Sequence, residues 1–353
     1  MSLARRLADR IRSAGPVSVA EYMHLCLHDP SDGYYAVRPA IRADGDFITA
    51  PMVSQIFGEL IGLWMIEVWR QMGRPDPVRL IELGPGDGTL MSDLLRAARL
   101  EPDFAAAIDL WLVEPSRPLR VQQVQRLGAV ARHAESLDEV PGGAPLLVVA
   151  NEVLDCLPTR QWEFRGGAWR ERRIGLAGAQ LVFGLAPAPG LDGAPEMAPE
   201  GAVFEHSPAQ EALASELGAR IASEGGAALL VDYGRGTPGL GDTLQAVSGH
   251  RKVDPLERPG QVDLTVHADF PSVLAAARRE GVETRGPMAQ GDFLRALGLE
   301  ARARTLSLAQ PESGERIRRQ VERLAGAGQM GDLFLAVALH SPGLRPPGFG
   351  AQT

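Results

Sequence analysis

The stretch from Val78 to Thr89 constrains the fold more than any other. Val78-Arg79-Leu80-Ile81-Glu82-Leu83 is short, largely apolar and bounded by Pro77 and Gly84. That is the pattern of a strand buried on both faces. It runs into Gly84-Pro85-Gly86-Asp87-Gly88, after which Leu90, Leu94 and Leu95 give Thr89 to Arg99 a helical apolar pattern. A strand that feeds a glycine turn and then a helix is the opening unit of an α/β sheet, and the glycines let the backbone approach a ligand closely.

The same unit recurs. Asp109 to Val113 reads as a strand ending at Glu114, followed by a helix from Ser116 to Leu127 with Ser116 at its cap position. Pro145 to Ala150 is a third strand, ending at Asn151-Glu152. Ala227 to Val231 is a fourth, ending at Asp232-Tyr233-Gly234, which reads equally as a pocket wall or a structural turn. Leu333 to His340 is a final strand. Strands alternating with helices predict an α/β fold of Rossmann type with a mostly parallel sheet.

At 353 residues the chain is long for one core, so insertions are expected. Residues 1–77 read as an N-terminal helical segment and residues 78–340 as the core, with a loose Pro/Gly-rich tail from Ser341. One insertion covers about 161–205, with a hairpin around Gly166-Gly167 and a surface loop from Pro187 to Pro199. A second covers about 242–310 and holds a helix from Asp269 to Glu280. A further helix is expected from Ser54 to Gln71, where Trp64 and Trp69 read as core or interface residues.

Composition narrows the function. No basic run has the footprint of a nucleic-acid binder, and Arg316, Arg318, Arg319 and Arg323 read as a solvated helix face. No apolar run approaches the roughly 18 residues of a membrane span. Cys26 and Cys156 suit a reducing compartment and form no metal or redox spacing. The seven histidines read as scattered, so no metal is expected. Arg5, Arg6, Arg10 and Arg12 give Met1 to Arg12 some likeness to a mitochondrial presequence, but Asp9 interrupts it. A bacterial cytoplasmic protein is therefore the expected setting.

The glycines at 84, 86 and 88 do not follow the Gly-x-Gly-x-x-Gly dinucleotide spacing, and no lysine follows them as in a Walker A loop. A pyrophosphate wants bare N–H groups and a positive helix end, which Asp87 opposes. S-adenosylmethionine (SAM) carries a sulfonium and an ammonium and no phosphate. Glu82 is placed to hold its ammonium side. Glu114 is placed for the ribose hydroxyls, and Ser136 and Leu137 for the adenine. Gly84, Pro85, Gly86 and Gly88 form the turn itself, and Asn151 and Glu152 end the neighbouring strand.

Several stretches, in order along nearly the whole chain, resemble the MidA-like methyltransferases. They are Gly45 to Pro51, Val53-Ser54-Gln55, Phe57-Gly58-Glu59-Leu60, Glu82 to Thr89, Asn151 to Pro158, Asp232-Tyr233-Gly234, Gly241-Asp242-Thr243, more loosely Asp263 to Phe270, and Gln290 to Gly298. That family includes a mitochondrial complex I assembly factor that methylates a protein arginine. The resemblance implies a class I methyltransferase fold and a Gly45–Gln55 segment folded over the SAM site, which brings in Thr49 and Ser54. It also implies a protein substrate, a respiratory complex I subunit being the candidate; a homodimer is allowed. Met52 stands where the family usually has Glu, and Asp87 where it often has Arg.

Methyl transfer needs alignment of the acceptor and carboxylates near it as positive charge moves toward it. Glu152, then Asp155, are the candidates to contact the acceptor; Glu152 as a helix cap or arginine partner is the bland alternative. His267 reads as structural before it reads as a base. A non-catalytic SAM-binding assembly factor, a small-molecule methyltransferase and an NAD-linked oxidoreductase stay open at this point.

Overall fold

The computed structural model describes residues 2–37, 49–188, 191, 193–249 and 251–350. Its main sheet contains β1 (Val78–Leu83), β2 (Ile108–Val113), β3 (Arg132–Ala134), β4 (Leu146–Asn151), β5 (Gly226–Arg235), β6 (Glu283–Ala289) and β7 (Phe334–His340). The spatial order is β6-β7-β5-β4-β1-β2-β3, with β7 antiparallel to both its neighbours and the other pairings parallel. Ala268–Asp269 adds a short parallel pairing beside the end of β5. The chain leaves β1 toward β2 and β3 and then returns to β4 on the other side of β1. The crevice between the carboxyl ends of β1 and β4 is therefore a topological switch point, where open α/β sheets bind ligands.

Every residue of β1 is buried, Arg79 and Glu82 included, as expected of a largely apolar central parallel strand. Helices Gln55–Gln71 and Thr89–Ala98 cover one face of the sheet, and helices Pro208–Glu224 and Phe270–Arg279 cover the other. Trp64 and Trp69 are core residues, their indole N–H groups donating to the carbonyls of Pro347 and Pro75. Glu59, 5% exposed, takes Arg96 at 3.2 Å and Arg302 at 2.8 Å, which fixes helix Leu299–Ala309 to the core.

The remaining strands form a cap. One sheet joins Val17–Ser18, Ala168–Ala177, Arg160–Arg165, Val203–His206 and Gln180–Pro187; another joins Gln245–Ser248, Arg251–Val253 and Asp263–Thr265. Helices Leu3–Ala14 and Val19–His28 pack with both sheets in one apolar cluster that includes Leu7, Tyr22, Met23, Ile174, Leu264 and Val266. The N-terminal segment and the inserted sheets are thus parts of one body.

Four expectations need correction. The second insertion does not run to 310: Glu283–Ala289 is hydrogen-bonded into the main sheet and Phe270–Arg279 packs on it. Asp232-Tyr233-Gly234 is not a turn, because β5 continues through it, paired with β7. Ser116 stands at the N-cap position, but its hydroxyl makes no capping bond. The chain after Ser341 is docked as far as residue 350, with Leu344 in the core and the Phe349 ring 5.0 Å from that of Phe293.

Helices Gln55–Gln71 and Thr89–Ala98 approach closely through Gly58 and Gly62. A Cβ on Gly62 would lie 2.7 Å from the Ala97 Cβ and 2.9 Å from the Leu94 carbonyl. Neither contact can be relieved by a rotamer change, so the helices must separate. Gly62→Ala is expected to cost about 1–3 kcal/mol, read as a lower urea midpoint at unchanged slope. Gly239→Ala, which meets nothing within 4 Å, is the silent control.

Candidate functional site

A cavity of about 310 Å³ opens at the switch point. Gly84 and Gly86 form its floor after β1. Gly84 has a φ of 60°, and a Cβ there would come within 3.0 Å of the Val153 side chain. Gln123, fully buried on helix Arg117–Leu127, donates to the Gly86 carbonyl at 2.7 Å and fixes the turn. Glu114 lines the cavity at the end of β2. Burial pushes its carboxyl up to about 7, opposed by the Ser116 N–H, which donates at 2.8 Å.

Glu82 lies beneath the turn at 2% exposure. Burial, then Asp87 and Glu114, push its carboxyl up to about 8. Its Oε2 is buried without a hydrogen-bond partner. A buried carboxylate oxygen left unpaired is costly. A cation above the turn is the group that would satisfy it, so these residues fit the ammonium and sulfonium of SAM.

Asp87 is partly neutralised. It accepts the Thr89 N–H at 3.0 Å and is paired with Arg126 at 2.6 Å. Its charge, with that of Glu114, still raises Glu82.

The acidic turn after β4 is held from below. The Asp232 carboxylate accepts the N–H groups of Val153, Leu154 and Asp155 at 3.0, 2.8 and 3.2 Å and that of Tyr233 at 2.8 Å. Glu152 has a φ of 56° and shares positive φ with only one other non-glycine among the described residues, Arg74. Such strain persists only where the surroundings over-determine it. Its Oε1 accepts the Asn151 side-chain amide at 3.0 Å and, at 3.3 Å, the N–H of Ala50, the first residue of the short helix Ala50–Val53; it caps no helix that follows it and pairs with no arginine among the described residues. Burial, then Asp155, push its carboxyl up to about 8. Asp155 is also raised by burial and accepts the Tyr233 hydroxyl at 2.5 Å.

Of the residues expected from sequence, Thr49, Gly84, Gly86, Glu114, Leu137, Glu152 and Asp155 line the cavity. The others support it. Ser54 caps helix Gln55–Gln71, Gly88 starts helix Thr89–Ala98, the Pro85 carbonyl closes the turn on Gly88, and Asn151 orients Glu152. Ser136 precedes the short turn Leu137–Glu139 without using its side chain. Residues 45–48 lie outside the described residues; Thr49 and Ala50 are the part of that segment seen at the site. His267 sits edge-on to Tyr233, outside the lining.

Other lining residues were not singled out as site residues, Asp263 and Thr265 entering only through the loose resemblance of Asp263 to Phe270. His28, Tyr34 and Tyr35 come from the N-terminal segment, Leu213 and Glu216 from helix Pro208–Glu224, and Asp263 and Thr265 from the three-stranded sheet. His24 and His28 also form a His-x-x-x-His pair that the reading of scattered histidines overlooked. Their rings are 5.8 Å apart, and no third metal-ligating group joins them among the described residues.

The sequence model of a family described as S-adenosyl-L-methionine-dependent methyltransferases matches residues 60–288. The mitochondrial protein arginine methyltransferase NDUFAF7 homolog of Drosophila melanogaster is 38% identical over 96% of this chain and 84% of its own. The mitochondrial NDUFAF7 of Mus musculus is 35% identical over the same shares. A crystal structure from Burkholderia thailandensis, bound to S-adenosyl-homocysteine, superposes with a TM-score of 0.84 at 27% identity, covering 99% of this chain and 92% of that one. The curated relatives are mitochondrial by name, which overturns the expected bacterial cytoplasmic setting. The chain belongs to the S-adenosyl-L-methionine-dependent methyltransferase family.

Proposed function

We propose that the protein methylates an arginine side chain of a protein acceptor, using Glu152 and Asp155 to hold the guanidinium. One observation carries the reading. Glu114, Glu152, Asp155, Glu216 and Asp263 line the cavity, and no lysine or arginine lines it among the described residues. SAM accounts for part of that negative field, and a second cation accounts for the rest. The relatives named as protein arginine methyltransferases support the same acceptor. A respiratory complex I subunit is the candidate acceptor protein that the family resemblance implies.

SAM, when bound, supplies the electrophilic methyl group. The residues of the chain do the remaining work. Gly84 and Gly86 let the backbone approach the cofactor, while Glu82 and Glu114 receive its cationic and ribose groups. Glu152, with its backbone fixed by Asp232, accepts guanidinium N–H groups and aligns one nitrogen with the methyl group. A methylated guanidinium nitrogen must shed a proton, and Asp155, hydrogen-bonded to Tyr233, is the acceptor beside it.

Two predictions follow from the raised carboxyls. Glu82 and Glu152 sit at about 8 when folded and return to about 4.3 when unfolded. The stability this lends is fully present below the unfolded value and is lost as pH rises through about 8. The melting temperature of the ligand-free protein should therefore fall from about pH 6 to about pH 9. Glu82→Gln should flatten that slope and weaken S-adenosyl-homocysteine binding. An unchanged slope in Glu82→Gln would count against Glu82 as the buried acid responsible.

The second prediction concerns catalysis. With cofactor saturating, kcat/KM for the acceptor should rise with pH, since Glu152 must be ionised to receive a guanidinium, and level off below the ligand-free value of about 8 because the cation of bound SAM favours the carboxylate. Glu152→Gln should lower kcat by about 10²–10³-fold while leaving cofactor affinity within a few-fold. Labelled SAM with candidate partner proteins, followed by mass spectrometry of the modified residue, is the assay. Methyl groups found on lysine would refute the arginine assignment, and the absence of methylated product from any partner would favour a binding module.

A further inference from the structure

Glu216 is the acid that helix Pro208–Glu224 contributes to the cavity wall, and its neighbours leave it uncommitted. A glutamate and an arginine four residues later on a helix ordinarily pair. Here Arg220 is engaged elsewhere. Its guanidinium donates to the Glu224 carboxylate at 3.1 Å, to the Leu137 carbonyl at 3.0 Å and to the Pro141 carbonyl at 3.3 Å. Glu216, half-buried, has no hydrogen-bond or ion-pair partner among the described residues.

The same contacts place Glu216 in the cavity. Arg220 ties the helix to Leu137, and the neighbouring acid whose charge raises the Glu216 carboxyl, after burial, is Asp138. Glu216 therefore stands beside the turn Leu137–Glu139 that follows β3. Leu137, Leu157 and Leu213 line the cavity and belong to one apolar cluster. The charges of Glu152 and Asp155 act on Asp232 and not on Glu216, so the acceptor turn is a separate part of the site.

The cofactor's own geometry brings its base here. With the methyl group facing Glu152 and the ribose on Glu114, the base is carried past the end of β2. The Glu114 N–H donates to the Ala134 carbonyl at 2.9 Å, so the next structure reached is the end of β3 and its turn. The loop that carries Ser136 offers no polar side chain to the base. Glu135 pairs with Arg120 at 3.3 Å, and neither Glu135 nor Ser136 lines the cavity. What remains is an apolar slot with one carboxylate at its edge. Such a slot suits a flat base whose edge carries an amine, because a carboxylate is an acceptor only.

We infer that Glu216 reads the adenine by accepting its exocyclic N–H, so that helix Pro208–Glu224, and not the loop after β3, selects the base of the cofactor. The inference rests on SAM as the cofactor and is independent of the acceptor.

Calorimetry on the full chain tests it, with S-adenosyl-homocysteine and the analogue in which hydrogen replaces the exocyclic amine of the purine. The native protein should bind the analogue about 10- to 30-fold more weakly. Glu216→Gln, neutral but still an acceptor, should keep a preference of about 3-fold. Glu216→Ala, with no acceptor, should bind the two ligands within about 2-fold of each other. The ratio of two affinities measured on one sample does not depend on the fraction folded, so lost stability cannot mimic this result. A native protein that binds both ligands alike overturns the inference. A Glu216→Ala variant that keeps the native ratio overturns it equally, since another group then reads the amine.

Discussion

The buried carboxylate of Asp232 is the constraint on which the site depends. It accepts four backbone N–H groups, three of them from the consecutive residues Val153, Leu154 and Asp155. Leaving these donors unpaired in the interior would cost about 1–3 kcal/mol each. The chain after β4 therefore has one conformation that satisfies it, and that conformation carries Glu152 at a positive φ. The strain at Glu152 is maintained by bonds made elsewhere, on the adjacent strand β5. Since β5 must extend through Asp232 to do this, the long pairing of β5 with β7 is part of the site's construction and not only of the core.

The electrostatics follow the same logic in reverse. Glu82, Glu152 and Asp155 are buried with no cationic side chain among their hydrogen-bond partners, and burial raises each of them. Placing acids in this way destabilises the ligand-free protein at higher pH. It also prepares the cavity to receive positive charge without reorganisation, which is where electrostatic stabilisation of transfer is most effective. Elsewhere, Glu59 is neutralised by Arg96 and Arg302 and Glu171 by Arg160 and Arg173, whereas Glu205 is held by the neutral donors Gln161 and Thr243.

The sheet was legible in the sequence because its strands are buried on both faces and so read as largely apolar runs, Leu146–Ala150 above all. The cofactor side was legible for a related reason, since glycine spacing and acidic strand ends are local features. Asp87 shows the limit of that locality. It belongs to the turn in sequence, yet Arg126 partly neutralises it, and only the fold reveals that pairing. Tyr35 left no trace because its partner at the site, Asp263, lies more than 200 residues away in sequence. The strand Glu283–Ala289 was absorbed into an expected insertion because it carries polar and proline residues that blunt its periodicity. The docked tail was missed because its proline and glycine content is that of a loop, while its anchoring comes from Trp64 and Phe293 far upstream.

The turn from Glu152 to Asp155 is also where the parts of the molecule meet. Ala50, on the N-terminal side of the chain, donates to the Glu152 carboxylate. Val266, following the three-stranded sheet, donates to the Asp155 carbonyl, and Tyr233 from the core donates to its carboxylate. A displacement of the cap by even a fraction of a hydrogen-bond length changes the partners of both acids. The cofactor floor at Gly84 and Gly86, fixed by Gln123, has no such dependence. On the proposed assignment, the cofactor floor and the acceptor turn are held by separate sets of bonds, and the acceptor turn is the one tied to the N-terminal segment and the inserted sheets.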